Sequence, residues 1–502
     1  MLNRATVGII GAGTMGTGIA LAASAGGHRV VLHDAFPAAR TRASEAIAAH
    51  FDRQCARSGM TGEEARRQSA LVELASDMDA FAGCGIVIEA VSEEETLKAA
   101  ILSEVEGLLA EDAILATNTS SLSITRLAQP LRRPARFLGM HFFNPAQVMP
   151  LVEVVSGHRT SPEVRDAVCA LARRWGKVPV QCRSAPGFIV NKVARPYYGE
   201  AWRLLEQKAA SAATIDLILE EAGGFRMGPF TLMDLIGHDV NLSVTRSLFA
   251  QTSFDPRYRP SLLQQDLVDA GLLGRKSGHG IYDHSGGAPE RAAEELGPGP
   301  TPRRVAIGRL SPRLAPLADL IAQAGLDIET HPSLHDALEV DGTLVAPSDG
   351  RTAAELTAAL GRPIALFDLA LDYREAGRIV VTASADAPRA VAAGLFQRLG
   401  KAVTPVADVP GMVVTRTLAM IANEAAELVS HAVADVEDID HALRLGASYP
   451  VGPLEWTDSV GTDFVLAVIG NLSDFYREDR YRPAPLLRAM SAARKRFYQD
   501  AE

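Results

Sequence analysis

Three places in the sequence carry residue types that can do chemistry. Gly11-Ala12-Gly13-Thr14-Met15-Gly16 is a GxGxxG run that follows the apolar stretch Thr6–Ile10 and opens a helical pattern. In that setting Gly11 permits a tight turn, Gly13 lets a pyrophosphate approach the backbone, and Gly16 lets helix pack on strand. The helix N-terminus offers N–H groups to the phosphates. Asp34 stands eighteen residues after Gly16, at the end of the apolar run His28–His33. A carboxylate there can bond ribose hydroxyls and repel a 2′-phosphate, so the pattern expects NAD rather than NADP. The second place is Asn118-Thr119-Ser120-Ser121. The third is His141-Phe142-Phe143-Asn144-Pro145 with Glu153 beyond it. A His beside a Glu can accept a proton while the carboxylate orients the ring and stabilises the imidazolium. On spacing alone His141 serves equally as a core or surface histidine.

The elements that would position these residues alternate. Thr6–Ile10, His28–His33, Gly85–Glu89, Ala113–Thr117, Arg136–Met140 and Leu151–Val155 read as short buried strands, with helical spacing over Ala43–Ser58 and Lys98–Ala110. This implies an α/β domain with a mostly parallel sheet covered on both faces. Asn118–Ser121 and His141 each follow a predicted strand, where ligands gather in open α/β sheets.

After Pro186 the pattern turns helical, over Ile189–Gln207, Ala213–Glu221, Pro229–Phe249 and Ser261–Ala270. The expected division is 1–184 as a Rossmann-like NAD-binding domain, 185–284 helical, 285–302 a Gly/Pro-rich linker, 303–406 a second Rossmann-like domain and 407–502 helical again. An offset of 224 residues supports duplication of the helical part. It carries Gly176-Lys177 onto Gly400-Lys401, Pro186-Gly187 onto Pro410-Gly411, Glu200-Ala201 onto Glu424-Ala425 and Gly228-Pro229 onto Gly452-Pro453. One residue of slippage brings Tyr258-Arg259-Pro260 onto Tyr481-Arg482-Pro483. The second copy lacks the equipment of the first. Asn191 maps to Thr415, no His lies between His335 and His431, and Arg304–Leu310 has no GxGxxG. The second Rossmann-like domain is therefore expected to be degenerate and without cofactor.

Composition narrows the class. The 502 residues are 47% hydrophobic and 22% charged, which suits a globular chain with large cores. Fifty basic against sixty acidic side chains give a net charge of −10, which argues against nucleic-acid or acidic-membrane partners. Four cysteines without CxxC spacing argue against a disulfide framework or structural zinc and point to a reducing compartment, the cytoplasm. The uncharged run from Ala5 to His28 holds seven glycines and suits a turn opening a helix better than a membrane span. No metal site is expected.

GAGTMG, NTSS, HFFNP, LVEVV and PGFIVN occur in that order, and over residues 5–284 the chain resembles the NAD-dependent L-3-hydroxyacyl-CoA dehydrogenases. Its tandem second half, with VARPYY (Val193–Tyr198) and RYRP (Arg480–Pro483), resembles the longer bacterial members that serve phenylacetate degradation. The resemblance implies NAD as cofactor and an acyl-CoA substrate. It implies His141 as catalytic base, Glu153 as its partner, Ser120 in contact with substrate and nicotinamide, and Asn191 holding the reacting oxygen. It further implies cofactor contacts from Gly11, Ala12, Gly13, Thr14, Met15, Gly16, Asp34, Glu93, Lys98, Ser120, Asn144 and Lys276. The family's CoA-contacting Ser and Lys fall near residues 50–58, where this chain has no Lys; Arg53 and Arg57 are the phosphate-binding candidates. The acyl group stays open between 3-hydroxybutyryl-CoA and 3-hydroxyadipyl-CoA. A distal carboxylate would want a cation, and Arg195, one turn after Asn191, is either that cation or a surface or interdomain ion-pair residue. The helical copies are expected to pair across a pseudo-two-fold axis within one chain, or between chains as a homodimer. Another two-domain hydroxyacid dehydrogenase, or a structural or sensory NAD-binding protein, remains an alternative.

Overall fold

The computed structural model describes residue 2 and residues 4–498, so the outermost ends of the 1–184 and 407–502 segments lie outside the described residues. Eight strands form the first sheet. They are β1 (Thr6–Ile10), β2 (Val30–His33), β3 (Val72–Ala75), β4 (Cys84–Glu89), β5 (Ile114–Thr117), β6 (Phe137–Phe142), β7 (Leu151–Ser156) and β8 (Val178–Arg183). Their spatial order is β3-β2-β1-β4-β5-β6-β7-β8. The first six lie in the 3-2-1-4-5-6 order of a Rossmann domain and are all parallel. β7 runs antiparallel to β6, and β8 parallel to β7. Val7, Ile9, Ile86, Ile88, Ile114 and Leu138 are buried in one apolar cluster with Ile19, Ala23 and Val168 of the flanking helices. Near-continuous apolar strands are what a sheet covered on both faces requires.

β3 escaped the sequence reading, because Val72-Glu73-Leu74-Ala75 is only four residues long and is interrupted by Glu73. β6 runs two residues beyond the expected strand end, since its antiparallel pairing with β7 carries it through His141 and Phe142. The expected single helix over Ile189–Gln207 is two pieces, Val190–Val193 and Arg195–Glu206, broken at Ala194, because Pro196 can sit only in the first turn of a new helix.

The second sheet comprises β9 (Val305–Arg309), β10 (Ile328–His335), β11 (Leu338–Val340), β12 (Thr343–Pro347), β13 (Ile364–Phe367), β14 (Arg378–Ala383) and β15 (Ala402–Pro405). Its order is β10-β9-β11-β12-β13-β14-β15. The run β12-β13-β14-β15 repeats the parallel, antiparallel, parallel pattern of β5-β6-β7-β8. On the other side the antiparallel β11–β12 hairpin takes the place of parallel crossovers, so this is a degenerate Rossmann-like copy.

The chain resolves into two compact units, one of residues 1–192 with 432–447, the other of 193–431 with 448–502. The first unit thus takes a helix, Val436–Gly446, from the stretch expected to be wholly part of the second helical segment. Asp438 accepts from the Gln181 N–H at 3.0 Å, and the Arg183 N–H donates to the Val433 carbonyl at 2.8 Å. The second unit contains the same backbone contact with the copies exchanged, from the Ala407 N–H to the Ala209 carbonyl at 2.9 Å. Residue 183 is to 433 what 407 is to 209, with both pairs related by the offset of 224.

Within the second unit the Arg195–Glu206 and Val414–Ser430 helices pack together, again reciprocally. The Tyr258 hydroxyl donates to Glu424 at 2.5 Å and the Tyr481 hydroxyl to Glu200 at 3.1 Å. Arg257 adds a bond to Glu424 at 3.0 Å, and Arg416 one to Glu200 at 2.6 Å. Burial pushes the Glu200 carboxyl up, but Arg203 and Arg416 outweigh it and hold its pKa below the usual value. The 285–302 segment carries neither helix nor strand, yet it is tied down rather than a free spacer. Arg291 pairs with Glu220 at 2.6 Å, and the Leu296 N–H donates to the Val403 carbonyl at 2.9 Å. Among the described residues no helix is long and apolar enough to cross a membrane.

Candidate active site

β1 ends in the glycine turn. Gly11 has a φ of +101°, and a Cβ there would lie 2.7 Å from the Ala90 carbonyl oxygen, so only glycine fits. A Cβ at Gly16 would collide with the Gly11 carbonyl, whereas nothing lies within 4 Å of the Cβ position at Gly13. The open side of the loop is therefore at Gly13, where the Thr14–Ala25 helix starts. Asp34, just beyond β2, reaches back to the same loop: its Oδ2 accepts the Ala12 N–H at 2.8 Å and its Oδ1 the Phe36 N–H at 2.9 Å. A backbone cradle, a helix N-terminus and a neighbouring carboxylate fit the pyrophosphate and ribose of a dinucleotide.

Beyond β4 lies a buried ionic cluster. Glu89, at the last position of β4, accepts from Lys98 Nζ at 2.7 Å, the Val91 N–H at 2.6 Å and the Thr117 hydroxyl at 2.5 Å. Lys98 also donates to the Val91 carbonyl at 3.1 Å and lies 3.4 Å from Glu93. Lys98 is thus buried between two carboxylates, hydrogen-bonded to one and ion-paired with the other. Glu93 Oε1 receives the Thr119 hydroxyl at 2.7 Å, the Ser120 N–H at 2.8 Å and the Ser121 N–H at 3.0 Å, with the Ser120 and Ser121 hydroxyls at 3.1 and 3.0 Å. Burial raises the Glu93 pKa, while Lys98 and these donors pull it net below the usual range. Sequence reasoning missed Glu89 and Thr117. The signal was a carboxylate ending an otherwise apolar strand, GIVIE.

His141 and Glu153 sit directly opposite each other on β6 and β7. Cross-strand partners in an antiparallel pair have neighbouring side chains, and here His141 Nδ1 lies 2.6 Å from Glu153 Oε2. Both are buried. The other carboxylate oxygen accepts the Ile189 and Val190 N–H groups at 3.0 and 2.9 Å, at the start of the Val190–Val193 helix. With Glu153 an acceptor on both oxygens, Nδ1 carries the proton and Nε2 is the basic nitrogen. The Phe143 and Phe188 rings lie 4.6 and 6.0 Å from the imidazole. Asn191 Nδ2 donates to the Ser120 carbonyl at 3.3 Å, and the Asn118 side chain accepts the Phe142 N–H at 2.8 Å. The first unit thus brings together Ser120, His141, Glu153 and Asn191.

The remaining candidates stand apart. Asn144 is exposed in the turn after β6, before the cis bond to Pro145. Arg53 and Arg57 are exposed on the Pro37–Ser58 helix. Lys276 belongs to the second unit, where it pairs with Asp239 at 2.5 Å. Arg195 is in that unit too, and buried, which removes the surface ion-pair reading. Among the described residues no group of three or more His, Cys, Asp or Glu side chains could hold a metal ion.

The place of His141 in the second copy is filled by Asp368. The Asp368 N–H donates to the Val380 carbonyl at 2.9 Å, so residues 368 and 380 oppose each other as 141 and 153 do, each 227 positions on. HFFNP itself has no counterpart in the second copy, but the strand position persists and carries a carboxylate.

Comparison with known proteins agrees. The NAD-binding domain of 3-hydroxyacyl-CoA dehydrogenase matches residues 6–185, and the C-terminal domain of the same enzyme matches twice, at 187–284 and 411–498. A reduced Rossmann-fold domain of 3-hydroxybutyryl-CoA dehydrogenase matches 345–410. The 3-hydroxyadipyl-CoA dehydrogenase of Escherichia coli K12 is 42% identical over 492 residues, 97% of this chain and 98% of that one. A probable 3-hydroxybutyryl-CoA dehydrogenase of Deinococcus radiodurans is 38% identical over 277 residues, 55% of this chain and 99% of its own. The crystal structure of an Escherichia coli K12 3-hydroxybutyryl-CoA dehydrogenase superposes with a TM-score of 0.89 at 40% identity, covering 98% of this chain and 99% of that one.

Proposed function

The chain belongs to the 3-hydroxyacyl-CoA dehydrogenase family of NAD-dependent oxidoreductases, and on that premise we propose that one active site per chain, built on His141, Glu153, Ser120 and Asn191, interconverts (S)-3-hydroxyacyl-CoA and 3-oxoacyl-CoA. Bound NAD supplies the hydride acceptor. His141 Nε2 takes the proton of the C3 hydroxyl, and in reverse returns it to the forming alkoxide. Glu153 keeps the ring in the Nδ1–H tautomer and stabilises the imidazolium. Ser120 and Asn191 align the hydroxyl and the thioester carbonyl. Lys98 and Glu89 hold Glu93, which in turn holds the Thr119–Ser121 loop.

The observation that carries this reading is the Glu153 carboxylate, shared between His141 Nδ1 and two backbone N–H groups beside Asn191. That sharing ties proton acceptor, orienting acid and Asn191 to one anchor. Absorbance at the NADH band with acetoacetyl-CoA, and then with 3-oxoadipyl-CoA, tests it. Folded protein that binds NADH and turns over neither thioester would favour a structural or sensory NAD-binding protein instead.

The reciprocal Tyr258–Glu424 and Tyr481–Glu200 contacts support an intramolecular pseudo-dimer in the place of two separate chains, since a two-fold interface makes each contact twice. Four thiols with no disulfide among the described residues support a cytoplasmic location.

A further inference from the structure

One residue after His141 the chain leaves β6 and crosses to β7 through the turn 143–150. Within the first unit that turn is held from both sides. On one side stands Lys177, between the Pro162–Arg174 helix and β8. It is 6% exposed, and its Nζ donates to the Ala146 carbonyl at 2.7 Å and to the Met149 carbonyl at 2.8 Å. The Val178 N–H adds a bond to the Pro150 carbonyl at 2.8 Å. Burial lowers the Lys177 pKa, and the two carbonyl oxygens stand where a buried cation ordinarily has a carboxylate. On the other side lies the Thr14–Ala25 helix. A Cβ at Gly18 would lie 3.1 Å from Ala146 Cβ and 2.8 Å from Gln147 Oε1, so the turn rests directly on the helix that the glycine turn opens. Ala146 is the meeting point, with its side chain against that helix and its carbonyl on Lys177.

The second copy separates what the fold needs from what the site needs. There the Ala402 N–H donates to the Gly377 carbonyl at 2.9 Å, as Val178 does to Pro150. Lys401, 224 positions after Lys177, is only half-buried and holds one carbonyl, that of Arg374, at 3.0 Å. The backbone stitch persists in both copies; the buried double clamp belongs to the copy with the histidine. Chemistry says what it would serve. The hydride leaves C3 while the proton leaves the oxygen on C3 for His141 Nε2, so the nicotinamide must lie beside the same carbon. The residues that follow His141 border that place, and the Phe143 ring already lies 4.6 Å from the imidazole. We propose that Lys177 is a positioning residue of the dehydrogenase site: by holding the Ala146 and Met149 carbonyls it fixes the 143–150 turn against the cofactor helix and so sets the nicotinamide end of NAD relative to His141. The assignment rests on the dehydrogenase reading and adds to it a residue that acts through the turn alone.

The test uses the full chain and two readouts. One is turnover of acetoacetyl-CoA with NADH. The other is equilibrium affinity for NADH and for ADP-ribose, which is the cofactor without its nicotinamide. Lys177→Met keeps the stem and removes the donors. Its kcat should fall about 10- to 100-fold, the effect of a small misplacement beside the reacting atoms. NADH should bind about 3- to 10-fold more weakly, the worth of a lost hydrogen bond, while ADP-ribose binds as before. Lys177→Arg keeps charge and donors and should recover part of kcat. Gly18→Ala presses on Ala146 from the opposite side, yet Ala is the better helix former. It should lower kcat with an unfolding midpoint at or above the parent's, a combination that loss of fold stability cannot produce. Lys401→Met should leave kcat and NADH affinity unchanged. Equal losses of NADH and ADP-ribose affinity, or an unchanged kcat in folded Lys177→Met, would overturn the proposal. Should Lys177→Met fail to fold, Lys177→Gln carries the same comparison, and an unchanged kcat there overturns it too. Absence of turnover by the unaltered protein would sink the dehydrogenase reading by itself, and the ratio of NADH to ADP-ribose affinity would still decide the role of Lys177.

Discussion

At the edge where β6 meets β7, His141 opposes Glu153; at the matching edge where β13 meets β14, Asp368 opposes Val380. In the first copy Glu153 receives the N–H groups of residues 189 and 190. In the second, Asp368 receives those of 413 and 414 at 2.8 and 2.7 Å, the same pair shifted by 224. It also takes the Thr415 N–H at 2.9 Å and the Thr415 hydroxyl at 2.6 Å. The carboxylate has moved to the opposite strand, onto the position where the first copy has its histidine, and still caps the same helix start. Holding those orphan N–H groups is a structural need that outlives the chemistry, because buried backbone donors must be paired. In the proposed mechanism Glu153 therefore has two tasks, of which only the orientation of His141 belongs to catalysis. Thr415 completes the exchange: the side chain at the place of Asn191 turns inward to Asp368.

The largest effect should separate the two edges outright. His141→Gln is expected to lower kcat by about 10²- to 10⁴-fold, the usual worth of a positioned general base, with NADH affinity nearly unchanged. Asp368→Asn should leave kcat within a factor of about two. Steady-state assay beside an NADH titration measures both, and the titration should return one NADH per chain. A His141 variant with near-normal turnover would put the proton transfer elsewhere.

Next in size, Glu153→Ala should lose both activity and stability, whereas Asp368→Ala should lose stability alone. Each leaves buried N–H groups without an acceptor, at about 1–3 kcal/mol for a first unsatisfied group. Urea midpoints read with kcat give the comparison. If Asp368→Ala impaired turnover as severely as Glu153→Ala, the second edge would not be the purely structural remnant described above.

How much of this could be read from the residues depends on how local each requirement is. The glycine turn was legible because each glycine answers to a short-range clash: Gly11 at positive φ against Ala90, Gly16 against the Gly11 carbonyl, Gly13 facing open space. Asp34 was legible for the same reason, at a fixed distance past a strand. His141 and Glu153 are twelve positions apart on two strands, and only the register of an antiparallel pair makes them neighbours; their types were visible and their contact was not. Asp368 was hidden because that strand edge repeats at 227 rather than 224, so ungapped comparison set it against the wrong residue. Glu89 was hidden inside an apolar strand, and nothing in the spacing of Lys98 shows that it is buried against that carboxylate. The 285–302 stretch read as a spacer from its Gly and Pro content, while its hold on the fold comes from distant partners such as Glu220 and Val403.

The paired helices sharpen the comparison under acid. Glu200 is held below the usual carboxylate value, near 4.3, by Arg203 and Arg416 against the push of burial. A depressed carboxylate stabilises the fold above its unfolded pKa, and that contribution disappears as the pH falls through its folded value. Unfolding midpoints should therefore drop between about pH 5 and pH 3, and Glu200→Gln should be less stable at neutral pH and flatter across that range. A variant whose acid sensitivity matched the parent would move the titrating group elsewhere.

The smallest effect concerns Thr415, which in the second copy stands at the place of Asn191. Its hydroxyl donates to Asp368, which burial raises above the usual aspartate pKa despite that bond. Thr415→Val keeps the shape and the backbone N–H contact and removes one donor, so a loss of about 1 kcal/mol is expected. Asp368 has four backbone N–H groups left, those of residues 369, 413, 414 and 415, so its carboxyl should titrate higher still in the variant, because burial then acts against fewer donors. Turnover should not move. Thr415→Asn offers a sharper contrast, since it restores the residue type of position 191. With Asp368 and Val380 in place of the histidine and its glutamate, that variant should gain no second active site and bind no second NADH. Activity per chain equal to the parent, read beside a small shift in the urea midpoint, is the expected outcome; a doubled stoichiometry would show that the second copy had kept more of its original chemistry than its strand edge displays.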